Sequence, residues 1–318
     1  MLFFQQHHDT VHFFKQHYKD WTVVPINKSP HYRLCTGDES LYFQYLQNSW
    51  RSIKRNKDQK IKKKIHDFNI LKNQIKVEGC KNPVEVTKNL SGQELMIHGN
   101  HRASICQYFN LPYPKKIITL EDAVRKICHN KLEKFGSGID DMPYHPILDD
   151  NLKQLIPGRR NDIIDRHEAI KKWVDLTNLD IVDFGSNTGA VGRMCLNDGA
   201  GHVVNVEISR IIINCCIRLA VLFNKKHSSF VLADLGKDQL NINSKADLAF
   251  CLSIHSHVNN NEHLTRNIVK NTKKNSLLIF ETHIKNEKIP SRILDSFKIV
   301  DKFSQLENRD LYLLKKKK

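Results

Sequence analysis

The sequence predicts an α/β protein of two domains, a doubly wound and mostly parallel sheet preceded by a smaller α+β unit. Three observations carry this. The chain has 318 residues, and at about 100–200 residues per domain that is room for two cores. From position 165 onward short apolar strands alternate with helices, the pattern of a sheet covered on both faces. Between Glu121 and Asp165 the apolar density falls, through FGSGIDDMPYHPILDD and IPGRR, as it does at a domain boundary. The expected division is an N-terminal extension over 1–20, a first domain over 21–120, a linker and lead-in over 121–164, and a second domain over 165–318.

The first twenty residues are rich in His and Phe, show no clear period and stay unassigned. WTVVPI, from Trp21, reads as a strand, SPHYRLCTGD as a turn-rich link, and ESLYFQYLQ as a short helix opening after Asp38. Ile61, Ile65, Phe68, Leu71 and Ile75 recur at helical spacing, and Gly79 stops that helix. The strands PVEVTKN and ELMIHGN are joined by a Ser91-Gly92 turn; helix HRASICQYF and strand KKIITL follow. The second domain reads as helix RHEAIKKWVDL, strand LDIVDF, a helix from Ala190, strand HVVNVE and helix SRIIINCCIRLAVLF. Strands FVLADL and DLAFCLSI, helix EHLTRNIVKNT, strand SLLIFETH and two last strands, SFKIVDKFSQ and RDLYLLKK, complete it.

Composition excludes several classes. With 40% hydrophobic and 26% charged residues, 13 Gly and 9 Pro, the chain is neither collagen-like, coiled-coil nor wholly disordered. No apolar run approaches the roughly 18 residues of a membrane helix, and no secretory signal is read, so a soluble cytoplasmic protein is expected. Eight cysteines lack any C-x-x-C spacing and lie beside apolar neighbours, as reduced buried thiols do. No metal site is expected. The formal charge of +16 is spread evenly, residues 1–150 holding 23 Lys+Arg against 16 Asp+Glu and residues 151–318 holding 27 against 18. It concentrates in Arg51 to Lys64, with eight basic residues and one Asp, and in the Lys315 to Lys318 run. A solvated helix face and tail is the plain reading of these runs; contact with nucleic acid or another phosphate-rich partner is the sharper one.

IVDFGSNTGAVG places Asp183 at the end of a strand and Gly185 and Gly189 in the turn into a helix, where glycines let backbone approach a ligand. About twenty residues on, Glu207 ends HVVNVE where a carboxylate can receive two ribose hydroxyls. Asp234, in LADLG, ends the third strand, where it can accept from an adenine amino group.

Over roughly residues 165–318 the sequence resembles the class I S-adenosylmethionine-dependent methyltransferases. DFGSNTG is similar to that family's first motif, VNVEIS to its second, ADL to its third, ADLAFCLSIHSH to its fourth, and RDLYLLKK to its seventh strand. The resemblance implies a Rossmann-like seven-stranded sheet ending in an antiparallel pair, with S-adenosyl-L-methionine as cofactor. It places Asp183, Gly185, Asn187 and Gly189 around the methionine part, Glu207 at the ribose and Asp234 at the adenine. Catalytic candidates are sought on the loops after the fourth and fifth strands, which offer Ser253, His255, His257, Glu281 and His283; His255, His257 and Glu281 are preferred. Tyr144, Arg159 and Arg160 in the lead-in are candidates for closing the pocket. LSIHSH has no proline, unlike enzymes that methylate exocyclic amino groups of DNA bases, so a small-molecule or saccharide acceptor methylated on a hydroxyl or phosphate oxygen is expected.

IHGNHRASIC puts Gly99 after a strand and His101-Arg102 at a helix start, the makings of a phosphate cradle. With GCKNPVEV, this segment resembles the ParB/sulfiredoxin-like fold over about residues 20–120. That resemblance implies nucleotide-phosphate binding by Gly99, Asn100, His101 and Arg102, with ATP or CTP and Mg2+, and leaves open a phosphotransfer activity for which Glu78 is a candidate base. Asn100 stands where sulfiredoxin chemistry needs a cysteine. The alternative reading is a nucleic-acid-binding methyltransferase whose first domain and basic segment contact DNA or RNA.

Overall fold

A computed structural model describes residues 2–4, 8–19, 22–50, 55–132, 143–306 and 308–317. Trp21, Arg51 to Lys54, the whole FGSGIDDM stretch and Lys318 lie outside the described residues. The chain divides into two units, Met1–Asn130 with Ile217–Lys226, and Lys131–Cys216 with His227–Lys318.

The first unit runs β1 (Leu2–Phe4), α1 (His8–His17), β2 (Val23–Pro25), α2 (Pro30–Cys35), α3 (Glu39–Ser49), α4 (Lys57–Glu78), β3 (Val84–Lys88), β4 (Glu94–His98), α5 (Asn100–Phe109), β5 (Lys115–Ile117) and α6 (Leu120–Leu132). Its strands form one mixed sheet in the order β2-β1-β4-β3-β5. Asp38 caps α3 by accepting the Leu41 N–H at 3.2 Å, and Ile61, Ile65, Phe68 and Ile75 form the buried stripe of α4. The stretch without a period contributes Phe13 and Phe14, which enter the core beside Tyr42, Tyr45 and Phe68.

Two elements differ from expectation. SPHYRLCTGD is not a link but carries α2: the Ser29 hydroxyl accepts the Tyr32 N–H at 3.2 Å, and Pro30 takes the first helical position. KKIITL gives only a short strand, because Thr119 Oγ1 accepts the Asp122 N–H at 3.0 Å and starts α6. The falling apolar density there belongs to a helix that buries a single stripe, Ala123, Val124, Ile127 and Cys128.

The second unit contains β6 (Ile147–Leu148), β7 (Gln154–Ile156), α7 (Ile163–Trp173), β8 (Asp180–Phe184), α8 (Ala190–Asn197), β9 (His202–Glu207), α9 (Arg210–Leu222), β10 (Ser228–Leu232), β11 (Ala246–Leu252), α10 (Asn261–Lys270), β12 (Thr272–Glu281), α11 (Ser291–Ser296), β13 (Phe297–Leu306) and β14 (Arg309–Lys316). Part of α9 clusters with the first unit. The seven-stranded sheet has the order β10-β9-β8-β11-β12-β14-β13. Its first five strands in sequence are parallel, and β14 is antiparallel to both β12 and β13. Strand order reverses between β8 and β11, so a crevice opens at their carboxyl ends. One face buries Ile163, Ile170, Val191 and Met194 against Ile181 and Phe250; the other buries Leu264, Ile268 and Ile293 against Val182 and Phe280.

Seven of the eight thiols are buried and none is bonded to another. Among the described residues, no helix is long and apolar enough to cross a membrane, and no cluster of His, Cys, Asp or Glu is arranged to hold a metal ion.

Candidate functional site

The crevice at the carboxyl ends of β8 and β11 holds a cavity of about 260 Å³. Asp183, Gly185, Asn187 and Glu207 line one side of it. Backbone geometry explains the glycines. Gly185 has φ +81°, and a Cβ there would stand 2.1 Å from Ile254 Cδ1; Gly189 has φ +69°, and a Cβ would meet Cys216 Sγ at 2.3 Å. The turn is pinned to β9 by the Gly185 and Ser186 N–H groups, both donating to Val206 O at 2.9 Å. Asn187, itself at φ +50°, donates its N–H to Glu207 Oε2 at 3.0 Å, and Ser209 N–H donates to Oε1 at 2.9 Å. Glu207 is therefore fixed against the turn. Burial raises its pKa, and the backbone donors oppose that rise.

Asp183 is different in kind. It is 2% exposed, lines the cavity, and receives no hydrogen bond among the described residues. Burial pushes its carboxyl up to about 7, with the Arg166 charge opposing. A buried acid without a donor is destabilising until a cation or donor meets it.

Tyr144, His145, Ser253 and His257 line the other side of the cavity. The lead-in is folded back on itself, since Arg159 and Arg160 N–H groups donate to Pro143 O and Tyr144 O at 3.0 Å each. The Arg160 guanidinium lies over the Tyr144 ring, 5.8 Å from its centroid. Arg166 Nη1 reaches His145 Nε2 at 3.3 Å. Ser253 has φ +58° and donates its hydroxyl to Thr282 O at 3.1 Å, so the chain turns sharply after β11 and sends Ile254 over Gly185.

The structure therefore brings together Asp183, Gly185, Asn187, Glu207, Tyr144, Ser253 and His257. Other candidates point elsewhere. Asp234 accepts the Gly236 N–H at 3.0 Å and pairs with Lys237 at 3.2 Å; these contacts within its own turn lower its pKa, and it does not line the cavity. His255 is buried with Nε2 on Glu287 Oε1 at 3.0 Å. Glu281 is fully buried and accepts from Arg166 at 3.0 Å and Arg160 at 3.1 Å, so it is an internal counter-ion to two arginines. Arg160 is its partner, and Arg159 does not line the cavity.

In the first unit, Gly99 has φ +103° and opens α5. His101 packs among Tyr42, His31 and Phe68 with Nε2 2.8 Å from the Tyr42 hydroxyl, and burial lowers its pKa to about 4. Arg102 donates to Pro83 O at 3.0 Å and lies 3.3 Å from His98 Nδ1. Asn100 Oδ1 is buried without a partner among the described residues. Glu78 is exposed and pairs with Lys81 at 2.6 Å.

Sequence reasoning missed His145, Ile208 and Glu287. Ile208 lines the cavity while 62% exposed; its signal was an apolar residue directly after the strand-end acid. Glu287 ties the loop after β11 to the loop after β12 by also accepting the His283 N–H at 2.7 Å, a pairing that no spacing announces.

Solved structures to which the chain is similar include a SAM-dependent methyltransferase from Aquifex aeolicus (13% identity, TM-score 0.41, covering 48% of this chain and 90% of that one). Also similar are the N-methyltransferase NodS from Bradyrhizobium japonicum in complex with S-adenosyl-L-homocysteine (12%, 0.41, 49% and 87%) and a ribosomal protein L11 methylase from Lactobacillus delbrueckii subsp. bulgaricus (18%, 0.41, 49% and 79%). No family model and no curated protein matches the chain.

Proposed function

We propose that the second unit is an S-adenosylmethionine-dependent methyltransferase that acts on a hydroxyl of a small molecule or saccharide. One observation carries this reading: a buried acid with no donor, a glycine turn and a second strand-end acid share one cavity at the switch point of a sheet whose last strand is antiparallel. The residues fit the cofactor. Asp183 suits the ammonium of its methionine end, Glu207 suits two ribose hydroxyls, and exposed Ile208 offers an apolar surface to a base. Asp234, held in its own turn, has no part in this assignment.

Bound there, S-adenosylmethionine supplies an electrophilic methyl carbon on a sulfonium. The chain's own part is to orient and to move a proton. Ser253 and Ile254 fix the loop that carries His257 into the cavity wall. Burial, followed by the neighbouring His283 and Arg309, holds His257 below its ordinary pKa, so near neutrality it is an uncharged proton acceptor for an acceptor hydroxyl. Calorimetric titration with S-adenosylhomocysteine tests the reading. Binding to the native chain that is lost in Glu207→Ala and Asp183→Ala is expected; no binding to the native chain would end the assignment.

A second reading, contact with nucleic acid, is favoured by α4. Lys60, Lys62 and Lys63 are exposed on its first turns without an ion pair among the described residues, and only Asp58 opposes them there. Phosphate contacts of that kind give salt-dependent binding to any duplex or strand. Affinity for RNA and DNA that falls steeply with salt and is reduced in the triple Lys→Gln variant at 60, 62 and 63 would support it.

A further inference from the structure

Arg309 opens β14 at the carboxyl edge of the sheet. β14 pairs with β12 so that Leu311 faces Glu281, and Thr282 N–H donates to Asp310 O at 3.0 Å, which sets Arg309 beside the loop after β12. Strand alternation gives Arg309 the sheet face of Leu311 and Leu313, and those two pack with Leu148 and Ile163 of the lead-in. Arg309 does not itself line the cavity, but its charge acts on His145 and His257, which do.

The acids on this side are already matched. Glu281 and Asp162 pair with Arg160 and Arg166, Glu287 with His255, and Asp310 with Lys302. Arg309 is the cation left over: it makes no ion pair among the described residues, and its Nη1 is buried with no hydrogen-bond partner. His283 Nδ1, on the adjoining loop, is likewise buried without a partner. The His283 ring stands edge-on to His257 with centroids 5.2 Å apart, and His257 lines the cavity. An arginine whose buried nitrogen meets nothing is costly unless an anion completes it, and a guanidinium fork fits a carboxylate or phosphate in two parallel bonds.

We propose that Arg309 grips an oxyanion group, carboxylate or phosphate, carried by the methyl acceptor, with His283 and His257 beside it. This names the acceptor's chemical class and rests on the methyltransferase reading. The hydroxyl to be methylated then belongs to an acid or a phosphate ester rather than to a neutral molecule, and the anion also offsets the positive sulfonium across the cavity.

The test uses the full chain saturated with S-adenosylhomocysteine, titrated with inorganic phosphate and, separately, acetate at constant ionic strength, while the imidazole NMR signals of His257 and His283 are followed. Saturable shifts of both signals are expected with at least one of the two anions. Affinity should be about tenfold or more weaker in Arg309→Gln and intermediate in Arg309→Lys. Lys298→Gln, exposed on β13 where it pairs with Lys315 at the opposite end of β14, should change nothing. Whichever anion binds more tightly identifies the group. No saturable shift, or shifts equally strong in Arg309→Gln, the signature of an adventitious ion only, would overturn the proposal. S-adenosylhomocysteine affinity measured on the same samples keeps the two readings apart. Its absence in the native chain ends the methyltransferase assignment, whereas its persistence in Arg309→Gln shows a folded cofactor site and isolates the anion result.

Discussion

Two turns in this chain take a strand through glycine into a helix, and they put their polar groups to opposite uses. At Gly99 the next ring, His101, turns inward to Tyr42 and Phe68, and Arg102 Nη2 donates to the Pro83 carbonyl, while Asn100 Oδ1 and Arg102 Nε are buried without a partner among the described residues. At Gly185 the neighbouring acid, Asp183, is left without a donor and faces a cavity. The local pattern is the same; the accounting of hydrogen bonds is not. What separates the two is the kind of group left over: at Gly185 it is a carboxylate facing a cavity, at Gly99 an amide oxygen and one guanidinium nitrogen.

The comparison breaks most visibly with Glu207→Ala. With Glu207 proposed as the acceptor of two ribose hydroxyls, its removal should weaken S-adenosylhomocysteine binding about a hundredfold or more by calorimetry. His101→Ala should leave that affinity unchanged.

Asp183 sharpens the contrast through pH. Its folded carboxyl titrates near 7 against about 3.8 unfolded, so the native state binds the proton more tightly. Stability from this group is fully present below about pH 4 and is lost as pH rises to about 7. Asp183→Asn cannot ionise and should keep that stability. Urea denaturation at about pH 8 should find the variant about 2–4 kcal/mol more stable than the native chain, with a flatter pH dependence, and calorimetry should find it binding S-adenosylhomocysteine more weakly.

At the other turn, His101→Ala should cost about 2–3 kcal/mol, since it leaves a hole among packed rings and an unpaired Tyr42 hydroxyl. The smallest expected effect is that of Arg102→Ala on ATP or CTP affinity. Titration with labelled nucleotide should find no difference from the native chain, and a clear loss would return the GNHR segment to the phosphate cradle its sequence suggests.

Much of this was legible in the sequence because period and punctuation report burial. The seven strands of the second unit's main sheet, the glycine turn and Glu207 follow from alternation, positive-φ positions and strand ends. What stayed hidden depends on contacts distant along the chain. Glu281 looks like a catalytic carboxylate until Arg160 and Arg166, more than a hundred residues earlier, close on it. Asp234 ends a strand as a ligand acid would, yet Gly236 two residues on captures it. His145 sits in a stretch whose low apolar content suggests a linker, and only the fold-back of the lead-in brings it to the cavity. Helix α2 was readable, its Ser29-Pro30 start being a recognised capping pair, but turn-formers on both sides masked it.

The clasp of Arg160 and Arg166 on Glu281 sets a clock as well as a shape. Parting those charges inside the protein is far harder than fraying a surface loop, so the lead-in should not breathe on its own. Its amide protons at Arg159 and Arg160, bonded to Pro143 and Tyr144, should exchange with deuterium as slowly as those of the central strand β8. This wall of the cavity then persists for as long as the second unit stays folded, and traffic through the site must be timed by other segments.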